Sequence, residues 1–422
     1  MHGCFCGFAL SLRIGMISSP WKRWANSMTR IAMVVLSTYP ADPRVRREAE
    51  ALGRNDIGVD VICLRAAGEE KEETLGTVRV HRIMPMEEKE QLLKYVWLSA
   101  KFLAASFWKL QRLAAANHYE LIQAHNMPDY LVFAALVQRL RGKRVILDLH
   151  DLMVELFESR WNARKTRLLG PFVRLAEKIS CRFSNHLITT SAGFQARLLE
   201  RGVPPGKITL VLNSADHNIF RKTPREFRRI ETGAKLLYHG TVAPRFGIHV
   251  AIEAVALLQK DLPGTKLHVH GKYDPSYRAE LDGQIERLGL KDHVVLRGYV
   301  PLEEIAKVIA GCDIGIVPYL SDSFMNLALS TKAFEYVATG LPVVASNLPS
   351  INSIFSQDCM EFFEPGSAGD LAARILRLCS SPEIQRSRTE NASRCYESIS
   401  WPMMEERYVS LIRKHLARSA RP

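Results

Sequence analysis

The chain reads as an α/β protein built from two parallel-sheet domains that face each other across a cleft. Three observations predict this. Apolar runs of strand length alternate with helical patterns from Met28 onward, with little polar alternation inside the strands. That is how parallel strands covered on both faces read. The rhythm breaks over residues 216–233 (DHNIFRKTPREFRRIETG), a basic, strand-poor stretch with the composition of a linker. Finally, 422 residues suffice for roughly two or three domains of ordinary size.

The first domain, 28–215, opens with the buried strand IAMVVLST (31–38). Asp42-Pro43 starts the next helix, with Asp as N-cap and Pro at the first helical position, and RVRREAEAL continues it. Strands VDVICL (59–64) and TVRVHRI (77–83), a long helix over 88–116 and strand LIQAH (121–125) follow. A helix over 129–140 leads to strand RVILDLH (144–150), then come an amphipathic stretch (151–182) and strand HLITT (186–190). A helix through Leu199 and strand ITLVLN (208–213) complete this half.

After the linker the alternation restarts in a second domain, 234–399. Its strands are KLLYHG (235–240), KLHVHG (266–271), VVLRG (294–298), DIGIVPY (313–319) and PVVAS (342–346). Helices fall over 248–259, 277–288, 302–310 and 330–339, and residues 400–422 follow the domain. Residues 1–27 carry a short apolar run, Phe5–Leu12, cut by Arg13 and followed by basic residues. This order is wrong for a signal peptide, so a disordered extension or an upstream start codon is expected.

A composition of 47% hydrophobic and 24% charged residues suits a globular chain with a sizeable core. The net charge of +13 favours anionic partners such as nucleotide phosphates, acidic membrane surfaces or nucleic acid. Eight scattered cysteines contain no Cys-x-x-Cys pair, so neither a zinc cage nor a disulfide framework is expected, and the setting reads as cytoplasmic. No uninterrupted apolar run approaches the ~18 residues of a membrane span.

Several residues are candidates for chemistry. In HGTVAPRFG (239–247), Gly240 and Gly247 allow close backbone approach, and the helix start near Ile248 points free N–H groups at the cleft. Arg245 is then a diphosphate ligand or, alternatively, a loop arginine in solvent. Glu335 lies on the helix after DIGIVPY, where a carboxylate can accept both hydroxyls of a ribose. Lys332, one turn earlier, shares its face; the plain alternative is an intrahelical Lys–Glu pair. His150 ends a first-domain strand and either orients a sugar hydroxyl or caps the strand. His268 and His270 share a strand face but lack a third ligand, so no metal is expected. The chain has no G-x-G-x-x-G after its first strand, no Walker lysine, no G-x-S-x-G elbow and no Asp-x-Asp pair.

Taken together, STYPADPRVRREAEAL, YHGTVAPRFGIHVAIEAVALL, TKAFEYVATGLPVVAS followed by NLPSI, and ISWPMMEERYVSLIRKHL resemble glycosyltransferase family four (group 1) from about Met28 to the C-terminus. The resemblance implies two Rossmann-like domains in the GT-B arrangement and a terminal helix that crosses back onto the first domain. It implies transfer of a sugar from a nucleotide diphosphate donor to a hydroxyl acceptor, with retention and without metal or cofactor. Glu335 matches the second glutamate of the family's E-x7-E motif, which holds the ribose, and His150 the histidine that contacts the donor sugar. Two positions depart: the first motif glutamate is Leu327, and the arginine after the phosphate-turn glycine is Thr241. The family's phosphate-binding lysine falls at Phe246, beside Arg245.

Donor binding is therefore expected at Gly240, Thr241, Arg245, Asn326, Leu327, Lys332 and Glu335, including backbone N–H groups after Asn326. His150, Arg245 and Glu335 are the expected catalytic residues, with Arg245 and the helix N-terminus stabilising the leaving diphosphate. Acceptor binding is expected at Tyr39, Arg44, Arg46, His125, Asn126, Asp129 and His150. The rival readings are a nucleotide-sugar epimerase of similar fold and a basic adaptor for membranes or nucleic acid; a nucleic-acid motif is not evident. Helix 92–113 carries Lys94, Lys101, Lys109 and Arg112 along one stripe, with Trp97, Phe107 and Trp108 beside it. That pattern suits peripheral contact with an anionic membrane at the cytoplasmic leaflet, and a lipid-linked or saccharide acceptor. The alternative is a helix packed on the sheet with a solvated basic edge.

Overall fold

The computed structural model describes residues 29–87, 92–160 and 163–419. The expected extension 1–27 and the first residues of the 88–116 helix lie outside them. The first sheet holds β1 (Arg30–Thr38), β2 (Gly58–Arg65), β3 (Glu72–Leu75), β4 (Val78–Pro85), β5 (Leu121–His125), β6 (Arg144–Leu149), β7 (His186–Thr189) and β8 (Ile208–Leu210). Their order is β3-β4-β2-β1-β5-β6-β7-β8, parallel except for β3. Around it lie α1 (Pro43–Arg54), α2 (Leu92–Asn117), α3 (Leu136–Leu140), α4 (Met153–Arg160), α5 (Ala163–Phe183) and α6 (Ala192–Glu200).

The second sheet holds β9 (Lys235–His239), β10 (Lys266–His270), β11 (Val294–Arg297), β12 (Ile314–Val317), β13 (Val343–Ser346) and β14 (Glu361–Phe363). It is all parallel, in the order β11-β10-β9-β12-β13-β14. Its helices are α7 (Ile248–Leu258), α8 (Pro275–Arg287), α9 (Leu302–Ala310), α10 (Thr331–Thr339), α11 (Pro349–Asn352), α12 (Ala368–Ser380) and α13 (Pro382–Glu397), and α14 (Trp401–Ser419) ends the chain. Strand order reverses between β1 and β5 in one sheet and between β9 and β12 in the other. Ligands of open α/β sheets bind at such points, outside the carboxyl ends of the strands.

The α1 start forms as its sequence predicts: the Asp42 side chain accepts from the Arg44 amide, with Pro43 in the first turn. Elsewhere the structure departs from the sequence reading. Residues 129–140 are a 3-10 segment, Asp129–Ala135, followed by the short α3. The 151–182 stretch divides into α4 and α5. β3 is a polar, exposed edge strand with no apolar alternation to reveal it. α12 and α13 were also missed, although Ser367 and Ser381 cap them and Pro382 follows the second cap.

α10 is not one-sided. Ser330 caps it, Gly340 stops it at φ 75°, and Lys332, Ala333, Phe334, Glu335, Tyr336, Val337 and Thr339 are all buried. The Tyr336 ring needs Gly315 beneath it, because a Cβ there would lie 2.5 Å from the ring. α14 packs on the first domain: the Tyr408 hydroxyl donates to Gln123 at 2.7 Å, and Arg54 pairs with Glu405 at 2.6 Å. Trp401, Met404, Tyr408 and Ile412 are buried there, each contributing about 1.5–3 kcal/mol if fully withdrawn from water.

Candidate active site

The crevice at β9 and β12 is lined by the end of β9, the turn after it and the first turn of α10. β9 ends on His239, buried, with its Nε2 3.1 Å from Glu335 Oε2. That approach has ion-pair distance but not hydrogen-bond alignment. The next residue, Gly240, has φ 108°, and Gly247 at φ 66° passes so close to Pro318 that a Cβ would meet its carbonyl oxygen. Glycine is required at both places.

Lys332 does not pair with Glu335. Its side chain runs toward Gly240, where a Cβ would lie 3.2 Å from its Cε and Nζ. The ammonium donates to the Tyr319 hydroxyl at 2.6 Å and sits over the rings of Tyr238 and Phe246 at 4.8 and 5.3 Å. Only 6% of the residue is exposed, and among the described residues no carboxylate lies within ion-pair distance of it. A buried cation held by one hydroxyl and ring faces is poised for an anion, since desolvating it without a counter-charge is costly.

Arg245 takes a different path. Its Nη2 donates to the Ser159 carbonyl and hydroxyl at 3.1 and 2.9 Å, across the cleft on α4, and lies 3.8 Å from Asp322. The guanidinium thus bridges the domains in this structure. Thr241 is exposed and its carbonyl accepts from Tyr238. Asn326 and Leu327 lie in a turn capped by Asp322, and the amides of Leu327 and Ala328 both donate to the Phe324 carbonyl. The N–H groups expected to serve a ligand after Asn326 are therefore already engaged at those two residues. Leu327, where the motif glutamate would stand, packs against Gly193 at the start of α6.

The opposite wall is rich in buried carboxylates and imidazoles. At the ends of β5 and β6, His125 Nδ1, His150 Nε2 and Asp148 Oδ2 are separated by 3.0, 3.2 and 3.3 Å. Glu48 hydrogen-bonds Asp148 and accepts from Gln123 at 2.7 Å, so two carboxyls share one dry site. Burial and the Asp148 charge push the Glu48 carboxyl well up, whereas the two imidazoles overcome burial and hold Asp148 down. Glu48 therefore carries the proton and Asp148 the charge. Burial lowers His150 to about 3, which keeps it neutral.

The same three atoms lie within 4.8 Å of one another and could ligate one metal ion. Metal-binding histidines ordinarily donate their far N–H to an oriented acceptor. His125 Nε2 and His150 Nδ1 have no such partner. Proton sharing satisfies the inner atoms without an ion, and we read the cluster that way.

The remaining first-domain candidates are mostly occupied. Asn126 donates to Asp129 at 2.9 Å and to the Asp151 carbonyl at 2.5 Å, and accepts from the His150 amide at 2.8 Å. Both ends of its amide are used to fix the loop that carries His150. Asp129 is fully buried, and burial raises it to about 7. Tyr39 is buried, with its carbonyl accepting from Arg82; Arg44 is tied to Asp42 and Arg46 to Glu50. Asn126, Asp129 and Tyr39 thus hold the loops of this wall, while Arg44 and Arg46 are half-buried beside their own carboxylates.

Residues 41–214 match the family profile described as glycosyl transferase 4-like domain, and residues 220–394 match glycosyl transferases group 1. An MMP α-(1→4)-mannosyltransferase of Mycolicibacterium hassiacum is 27% identical over 274 residues, 64% of each chain. A 2-deoxystreptamine glucosyltransferase of Streptomyces kanamyceticus is 23% identical over 357 residues, 82% of this chain and 84% of that one. Among solved structures, sucrose-phosphate synthase from Thermosynechococcus elongatus superposes with TM-score 0.73 at 20% identity, over 92% of this chain and all of that one. The Anabaena protein HepE, solved with UDP and glucose, superposes with TM-score 0.68 at 17% identity, with the same coverage.

Proposed function

The chain belongs to the group 1 glycosyltransferases, and we propose that it moves a hexose from a nucleoside diphosphate sugar to a hydroxyl acceptor with retention at the anomeric carbon. This membership stands against the epimerase and adaptor readings. The observation that carries the donor assignment is Lys332, a buried ammonium at the phosphate turn with no counter-charge. A diphosphate against Gly240 and the α10 start would supply it, and Glu335 beside His239 would accept the ribose hydroxyls.

As the glycosidic bond breaks, negative charge grows on the departing phosphate oxygen, and a fixed ammonium in a dry site stabilises it without reorganising. That oxygen then takes the acceptor proton, so no protein base is assigned. His150, neutral and carried at the end of β6, orients a donor-sugar hydroxyl from the opposite wall. Arg245 would stabilise the closed cleft through Ser159 and reach the phosphates from the same turn. The acceptor is a saccharide or lipid-linked precursor in the synthesis of a cell-surface polysaccharide or glycolipid, used on the cytoplasmic side. Among the described residues no helix is long and apolar enough to cross a membrane.

The test is a thermal-shift panel of UDP-, GDP-, ADP- and TDP-sugars. A donor at ~100 times its dissociation constant adds about 2.7 kcal/mol of stability. One base should shift the melting point strongly, and transfer should persist in EDTA. A flat panel would remove the donor assignment. Activity lost on chelation and regained with an added divalent ion would remove the electrostatic scheme.

A further inference from the structure

One face of the first domain is apolar and basic at once. α2 and α5 flank the 3-10 segment Asp129–Ala135 and pack against it, with Ser99 meeting Tyr130 at 2.5 Å and Phe133 meeting Phe183 at 5.0 Å between ring centres. Along α5, Leu168, Phe172, Leu175 and Ile179 are 70, 68, 52 and 47% exposed. Their spacing of four, three and four residues makes a single stripe. Trp97 and Trp108 are exposed on α2, and Leu136 and Leu140 on α3 between the two. Ten of the sixteen large apolar side chains exposed among the described residues lie on these three helices. Such concentration marks an interaction surface, since scattered exposed leucines would not cluster.

The charges on the same helices identify the occupant. α2 and α3 contain no Asp or Glu, and the one acid of α5, Glu177, is buried against Arg201. Lys94, Lys101 and Arg112 are exposed on α2, and Arg167, Lys178 and Arg182 on α5. Lys109, expected on the outer stripe, instead pairs with Glu72, and Arg174 pairs with Glu158. A second copy of this face would bring like charges together. We infer that α2, α3 and α5 form a docking surface for an anionic bilayer, with the α5 stripe entering the interface and the flanking cations at the headgroups. The 3-10 segment between them starts at the His125–Asp129 loop, so the bilayer would border the acceptor side of the cleft. The inference rests on the proposed lipid-linked acceptor only for its purpose; the surface stands on its own.

Co-sedimentation of the full chain with phosphatidylcholine vesicles, with and without phosphatidylglycerol, tests it. Binding should require the anionic lipid and fall as salt rises. Phe172→Ser with Leu175→Ser should weaken it at least about tenfold, while the donor thermal shift is unchanged because neither residue touches the cleft. Lys178→Gln with Arg182→Gln should weaken it and flatten its salt dependence. Protein left in the supernatant with anionic vesicles at low salt overturns the inference. So does a self-associating chain that the α5 serine pair makes monomeric, or equal binding to free polyanions and vesicles.

Discussion

The two walls of the cleft solve opposite electrostatic problems. The second-domain wall buries an ammonium, Lys332, among neutral partners and leaves its charge without an anion. The first-domain wall buries carboxyls and imidazoles whose charges are balanced among themselves: Glu48 protonated against Asp148, His125 and His150 on the same oxygen, Asn126 on Asp129, with only the outer imidazole nitrogens His125 Nε2 and His150 Nδ1 and the second oxygens of Asp148 and Asp129 left without a partner among these groups. A wall with unspent charge is built for a ligand that brings the opposite charge. A wall with its charges spent holds its shape before any ligand arrives and suits neutral hydroxyls. On the proposed reading, the second-domain wall would gain binding energy from charge, and the first-domain wall would gain precision from pre-formed geometry.

The largest expected effect tests the first-domain wall. The folded-state value of Asp129, about 7, lies above its ordinary 3.8. Between those values the native chain binds more protons than the unfolded one, so stability should fall as pH rises from about 4 to 7 and level off above. Asp129→Asn keeps an acceptor for Asn126 and removes the titration. It should be more stable than the parent above pH 7, by an amount on the order of a few kcal/mol, and show a flatter pH profile in denaturant melts. A parent-like profile in the variant would show that Asp129 is charged and compensated, and would blur the contrast between the walls.

Glu335→Gln tests the other side. Losing a charged hydrogen bond costs ~1.5–3 kcal/mol, about ten- to a hundredfold in donor affinity. The variant should melt like the parent without donor. Unchanged donor affinity would show that the carboxylate serves His239 and not a ribose.

Closure across the walls gives the smallest effect. Arg245→Ala and Ser159→Ala should be non-additive in kcat/KM, with a coupling of about 0.5–1.5 kcal/mol. Strict additivity would mean that the bond between the domains does not persist in the working enzyme.

Much of this was legible in the chain itself. The two sheets, α1 with its Asp42-Pro43 start and α10 follow from apolar runs and cap residues, which are local signals. Glu335 and Lys332 were also visible as polar residues on a helix between two core strands. Their partners were not. Helical spacing favours a Lys–Glu pair one turn apart, yet β9 ends on a histidine that takes Glu335, and Gly240 leaves room for Lys332 to turn the other way. Such choices depend on what two distant strands place beside the helix. The same holds for Asn126 and Asp129, which look like free loop polars but bond each other, with Asn126 also tied to His150 and Asp151 just after β6. The α5 stripe was readable at its spacing of four, three and four; what the sequence lacked was whether another element covers it.

On the proposed reading, Lys332 supplies the positive charge that Thr241 and Phe246 do not. Lys332→Met keeps the length and removes the charge. Titration calorimetry on this variant and the parent should compare the preferred nucleoside diphosphate with its parent nucleoside. Diphosphate affinity should fall by about ten- to a hundredfold, while nucleoside affinity stays within about twofold of the parent. Equal losses for both ligands, or a diphosphate that binds the variant as it binds the parent, would contradict that reading.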